Sequence, residues 1–119
     1  MAMRPERELL KGSTPTLILA VLEDAPRHGY AIAREIERRS TSTLSLGEGS
    51  LYPQLHTLEK EGLVTGAWET LAGGGPARKT YTLTEAGQAE LTRRTRNWRD
   101  FVSAIEGVLK KGGPDVQPI

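Results

Sequence analysis

The chain has 119 residues, 37% hydrophobic and 26% charged, the make-up of a single globular domain with one core rather than of a disordered chain. It has no cysteine, which excludes disulfides and thiolate metal sites. The net charge is only +1, with acidic and basic side chains near balance in each third of the chain, so binding to nucleic acid on charge alone is excluded as well.

Thr14-Pro15 reads as a helix N-cap followed by the residue best tolerated at the first helical position. The segment after it, "TLILAVLED", is apolar nearly all round and predicts a helix buried on most sides, ending by Ala25-Pro26. Its apolar run from Leu17 to Leu22 is far too short to cross a bilayer. The N-terminus has no basic-then-apolar leader, so the expected location is cytoplasmic.

"HGYAIAREIERRS" predicts a second helix with Ile32, Ala33 and Ile36 inward and Arg34, Glu35, Arg38 and Arg39 outward. Leu44, Ser45 and Leu46 alternate as a minimal strand would. In "GEGSLYPQLHTLEKEGLV", Leu51, Leu55 and Leu58 fall at i, i+4 and i+7, the inward stripe of a third helix that Gly62 ends in the left-handed region. "LVTGAWE" and "RKTYTLT" are strand-like and are joined by a loop built round Gly73-Gly74-Gly75-Pro76, which signals a hairpin. Thr84 caps a long fourth helix expected to reach about Lys111, and residues 112–119 read as a loose tail.

The expected fold is therefore mainly α with a small β-hairpin (α+β). A winged helix-turn-helix occupies 1–84, a dimerisation helix 85–111 and a tail 112–119. Such a domain commonly lays its third helix in the major groove and its hairpin tip on the flanking backbone. With the leucines inward, Pro53, His56, Thr57 and Lys60 open outward, and Ser50, Tyr52 and Gln54 flank them. These side chains offer hydroxyls, an amide and an imidazole to base edges or phosphates, although a merely solvated polar face has the same pattern. What distinguishes this helix is its opening, where small residues leave the N-terminal amides accessible to a phosphate. Pro53 forfeits the bond to the Gly49 carbonyl, which costs ~3 kcal/mol in a helix interior and less in an early turn such as this. In the hairpin, Arg78 and Lys79 follow the glycine tip and are expected to pair with phosphates; a mobile loop with two surface cations is the plainer alternative.

Trp98, Val102, Ile105 and Leu109 are spaced 4-3-4, and Phe101 and Val108 widen the stripe. A stripe this long, beyond a domain already closed by its hairpin, is expected to bury against a second copy, with packing back onto the first helix as the alternative. Neither His28 nor His56 has acidic residues at metal-ligand spacing, no glycine cluster has phosphate-loop spacing, and no nucleophile, base and acid can be assembled. No metal, cofactor or enzymatic activity is expected.

Three stretches carry a resemblance. "HGYAIAREI", "GSLYPQLHTLEKEGLV" and "RKTYTLTEAGQAEL" resemble, in order and spacing, the hallmark segments of PadR-like transcriptional regulators, and the match runs from about Thr14 to Leu109. The C-terminal part is similar to the smaller subfamily, in which one long helix replaces a larger domain. The resemblance implies a homodimer, commonly a repressor, that binds double-stranded operator DNA and releases it on a small-molecule or other signal. It also implies a role for Trp98, because in some members an aromatic residue of this helix lines an interface cavity that takes flat aromatic compounds. Two alternatives are a winged helix that binds another protein, and a small-molecule-binding dimer whose cavity is the main function.

Overall fold

The computed structural model describes residues 7–70 and 72–110, with side chains from residue 12 onward. In chain order the elements are α1 (Arg7–Leu22), β1 (Arg27–His28), α2 (Gly29–Arg39), α3 (Glu48–Lys60), β2 (Val64–Glu69), β3 (Arg78–Leu83) and α4 (Glu85–Leu109). The three strands form one antiparallel sheet in the order β1-β3-β2, with Trp68 opposite Lys79 and Gly66 opposite Tyr81. The architecture is α+β, as the sequence predicts.

One core holds the helices and the sheet together. Ile18 and Leu19 of α1, Ile32 of α2 and Leu55 of α3 are fully buried, joined by Leu51, Leu58, Val64 and Leu91 at 5% exposure or less. The leucine stripe of α3 thus packs inward in register, and each such side chain contributes roughly 1.5–3 kcal/mol by leaving water. Gly62 (φ 79°) turns the chain after α3, and the Leu63 amide donates back to the Leu58 carbonyl at 3.0 Å. Thr84 caps α4, its hydroxyl accepting from the Gly87 amide at 2.9 Å.

Two expectations are corrected. Thr14 is not an N-cap: α1 begins by Arg7 and runs through Pro15. Glu8, Leu9, Leu10 and Lys11 are good helix formers, and burial of Thr14, Ile18 and Leu19 on either side of Pro15 offsets the backbone hydrogen bond it forgoes. Leu44 and Leu46 form no strand. Thr41 (φ 54°) and Ser42 (φ 62°) turn the chain through the left-handed region, and the Leu44 amide is tied to the Ser40 hydroxyl at 3.0 Å. The third strand is instead β1, where Arg27 pairs with Tyr81 and His28 with Thr80. Finally, α4 ends at Leu109 with Lys110 as its C-cap; Lys111 and the expected tail lie outside the described residues.

Candidate nucleic-acid interface

The N-terminus of α3 begins at Gly47, which offers no side-chain cap, and the Gly47 carbonyl accepts from the amides of Ser50 and Leu51. Glu48 in this first turn complements the helix dipole. Opposite the buried leucines, Ser50, Tyr52, Pro53, His56, Thr57 and Lys60 are exposed, whereas Gln54 is half-buried. The Thr57 hydroxyl donates to the Pro53 carbonyl at 3.1 Å, which spends its proton and leaves its oxygen to accept. Lys60 makes no ion pair among the described residues.

Two segments that are far apart in sequence meet here. The Tyr52 ring lies against Gly29, the buried first residue of α2: a β-carbon at 29 would sit 2.7 Å from Tyr52 Cε1 and 2.8 Å from its hydroxyl oxygen. Glycine at 29 is the space into which Tyr52 packs, so the His-Gly-Tyr and Leu-Tyr-Pro motifs are two halves of one contact. Next to it on α2, Tyr30 is 67% exposed and its hydroxyl accepts from Arg34 Nη1 at 2.7 Å, with the guanidinium 5.6 Å from the ring centre. Sequence reading passed over this pair; its i, i+4 spacing was the available signal.

Other cations are engaged within the fold. Glu35 accepts from both Arg38 and Arg39 at 2.6 Å, which holds its carboxyl down at about 2, and Arg39 also reaches Asp24 at 3.1 Å. The basic end of α2 is thus matched by its own acids. Arg78 and Lys79 part company because successive strand residues face opposite sides. Arg78 is exposed and makes no ion pair among the described residues. Lys79 turns to the α3 side, where its ammonium meets Glu59 at 2.9 Å. That carboxylate holds the Lys79 ammonium protonated beyond its ordinary range, while burial pushes the nearby Tyr81 phenol upward.

The C-terminal half of α4 carries an apolar face without cover in the single chain. Trp98, Phe101, Ile105, Val108 and Leu109 are all exposed and Val102 is half-buried; the Trp98 and Phe101 rings are 6.3 Å apart. Among the described residues no group of His, Cys, Asp or Glu could hold a metal, and no helix is long and apolar enough to cross a membrane.

Residues 18–93 match the profile of the "Transcriptional regulator PadR-like family". The chain belongs to the PadR-like family. A Mycobacterium tuberculosis protein described as a transcriptional regulator is 32% identical over 101 residues, covering 85% of this chain and 90% of the relative. The PadR-like regulator of Bacillus cereus superposes with a TM-score of 0.72 at 26% identity, covering 87% of this chain and 97% of the other. A PadR family regulator of Eggerthella lenta gives 0.75 at 25% identity and covers 87% of each chain. A PadR-like chain is a transcriptional regulator by family, and its α3 and β2–β3 hairpin are the helix and wing of the winged fold.

Proposed function

We propose that this PadR-like protein is a homodimeric, cytoplasmic repressor that grips operator DNA with α3 and the wing, and lets go on a signal received between its two copies. The observation that carries the reading is the two-faced α3, sealed inward by Leu51, Leu55 and Leu58 and open outward through Tyr52, His56, Thr57 and Lys60. Gln54, His56 and Thr57 suit base edges, and Ser50, Tyr52 and Lys60 suit the backbone beside them, with Pro53 stiffening the turn that carries them. The division of labour is a DNA-binding unit through residue 84 and a dimerising helix after it. Uncovered aromatic side chains on α4 support a flat aromatic effector held against Trp98 of each copy.

Footprinting on DNA upstream of the protein's own gene tests this: a protected two-fold site is expected, and no protection on any upstream duplex would overturn it. On that duplex, Tyr52→Phe, which keeps the ring seated on Gly29, Gln54→Ala and Thr57→Ala should each cost roughly 1–3 kcal/mol of specific binding with the fold intact. Normal binding by all three variants would remove α3 from the interface. Arg78→Ala should weaken specific and random duplex alike and make the salt dependence shallower by about one charge. An unchanged slope would take Arg78 off the backbone.

A further inference from the structure

The side chain of Lys79 sits in a cage drawn from three elements. Its ammonium is 2.9 Å from Glu59 of α3, 5.7 Å from the Trp68 ring centre on β2 and 5.4 Å from the Tyr81 ring centre on β3 itself. Its side chain retains 24% of its exposure and that of Glu59 32%, so the pair is partly withdrawn from water. The floor of the cage is Gly66: a β-carbon there would overlap Lys79 Cε and lie 3.1 Å from Glu59 Oε2. Gly66 faces Tyr81 and Trp68 faces Lys79 across the ladder, so all four belong to the hairpin face turned toward α3. Arg78 points to the other face.

An exposed ion pair has little consequence for stability, but this one adds a polar tie between α3 and the outer part of the hairpin, beyond the core contacts of Leu58, Val64 and Tyr81. The hairpin is a two-stranded projection at its far end, since β1 pairs only with Tyr81 and Thr80. Such a ribbon bends and twists readily unless something braces it. The Glu59–Lys79 pair sits near the outer limit of the sheet's third strand, where bracing matters most.

We infer that Lys79 is a positioning residue rather than a phosphate ligand: clamped by Glu59, Trp68 and Tyr81 over Gly66, it fixes the angle between α3 and the wing so that both meet one duplex. This revises the expectation drawn from the Arg78-Lys79 pair in sequence, and it rests on the DNA-binding reading above. Two cations adjacent on a strand leave it on opposite faces, and here the one that turns inward holds the frame.

The test pairs a DNA-free arm with a binding arm. Lys79→Met keeps the aliphatic stem and removes the ammonium. By amide hydrogen exchange it should speed exchange in β2 and β3 while α1 and α2 keep wild-type protection. With Trp98→Phe as background, Trp68 is the one remaining tryptophan, and its emission should shift when the ammonium is removed. In the binding arm, Lys79→Met and Glu59→Gln should each weaken binding to the footprinted duplex by about fivefold to tenfold with the salt slope unchanged, and the double variant should be no worse than either. A phosphate-binding Lys79 gives the opposite pattern. Lys79→Met would then reduce the slope by about one charge, and Glu59→Gln, which removes a negative charge, would tighten binding. Either result overturns the inference, as does unchanged exchange in the hairpin. If the wild-type protein protects no duplex, the function reading fails while the exchange arm still decides whether the clamp braces the wing.

Discussion

Ile105→Asp is expected to turn the protein into monomers and to abolish high-affinity operator binding, leaving weak nonspecific binding. Ile105 is 43% exposed in the single chain and takes no part in the core, so the substitution spares the fold. In a dimer built on the α4 face it would place an unpaired carboxylate among apolar side chains, a penalty of roughly 3 kcal/mol or more. A single aspartate on a helix ridge cannot swing clear of a seam made of Trp98, Phe101, Val102, Ile105 and Leu109. Each monomer presents only one α3, so a two-fold operator loses half of its contacts. Light scattering gives the assembly and a binding titration gives the affinity. A variant that stays dimeric, or monomers that bind the operator as before, would place the dimer seam elsewhere.

Gly87→Ala is expected to destabilise the fold sharply. Gly87 is buried at the start of α4, and a β-carbon there would collide with the Leu63 carbonyl oxygen and lie 2.6 Å from Leu83 Cδ1. Leu83 can rotate, but the carbonyl belongs to backbone and cannot. Alanine is the better helix former by about 1 kcal/mol, which works against the clash. Overpacking against backbone costs typically about 1–3 kcal/mol and takes the upper end here because no rotamer relieves it, so the net loss is ~2 kcal/mol. That corresponds to a fall in Tm of ~10 °C for a domain of this size. Gly107→Ala is the control: a β-carbon at 107 meets nothing within 4 Å, so the propensity gain should appear alone as a small stabilisation. Equal melting of the Gly87→Ala protein and wild type would mean that the start of α4 shifts freely over the sheet.

Features set by neighbours in sequence were legible beforehand. The i, i+4, i+7 spacing of Leu51, Leu55 and Leu58 revealed the inward face of α3, and Thr84 announced the start of α4 through a hydroxyl that reaches only three residues. The hairpin was legible because Gly73 and Gly74 take the left-handed turn its tip requires, at φ 86° and 82°. Features set by distant partners were not. β1 has two residues, too few for any alternation, and exists only because β3 lies beside it some fifty residues later. Pro15 looked like a helix start because a local rule favours that position, and tertiary burial overrode the rule. The different surroundings of Arg78 and Lys79 were not legible either, because Glu59, the partner of Lys79, lies twenty residues before it. In the candidate interface, the outward face of α3 could be drawn from a helical wheel, but the seating of Tyr52 on Gly29 could not.

The turn that ends α3 is also the socket of α4. The Thr84 amide donates to the Leu63 carbonyl at 3.1 Å, its hydroxyl donates to the Gly62 carbonyl at 2.7 Å, and Gly87 brings the α4 backbone against that same Leu63. α4 is therefore seated on the turn that ends α3 and is held to the core by Leu91. Beyond Leu91 the helix runs on to Leu109 as an arm of ~27 Å at 1.5 Å per residue, so a swing of ~10° carries the far end through ~5 Å. In the α4-joined dimer proposed above, several ångströms of travel where the two arms meet would become a fine tilt at the seat of α3.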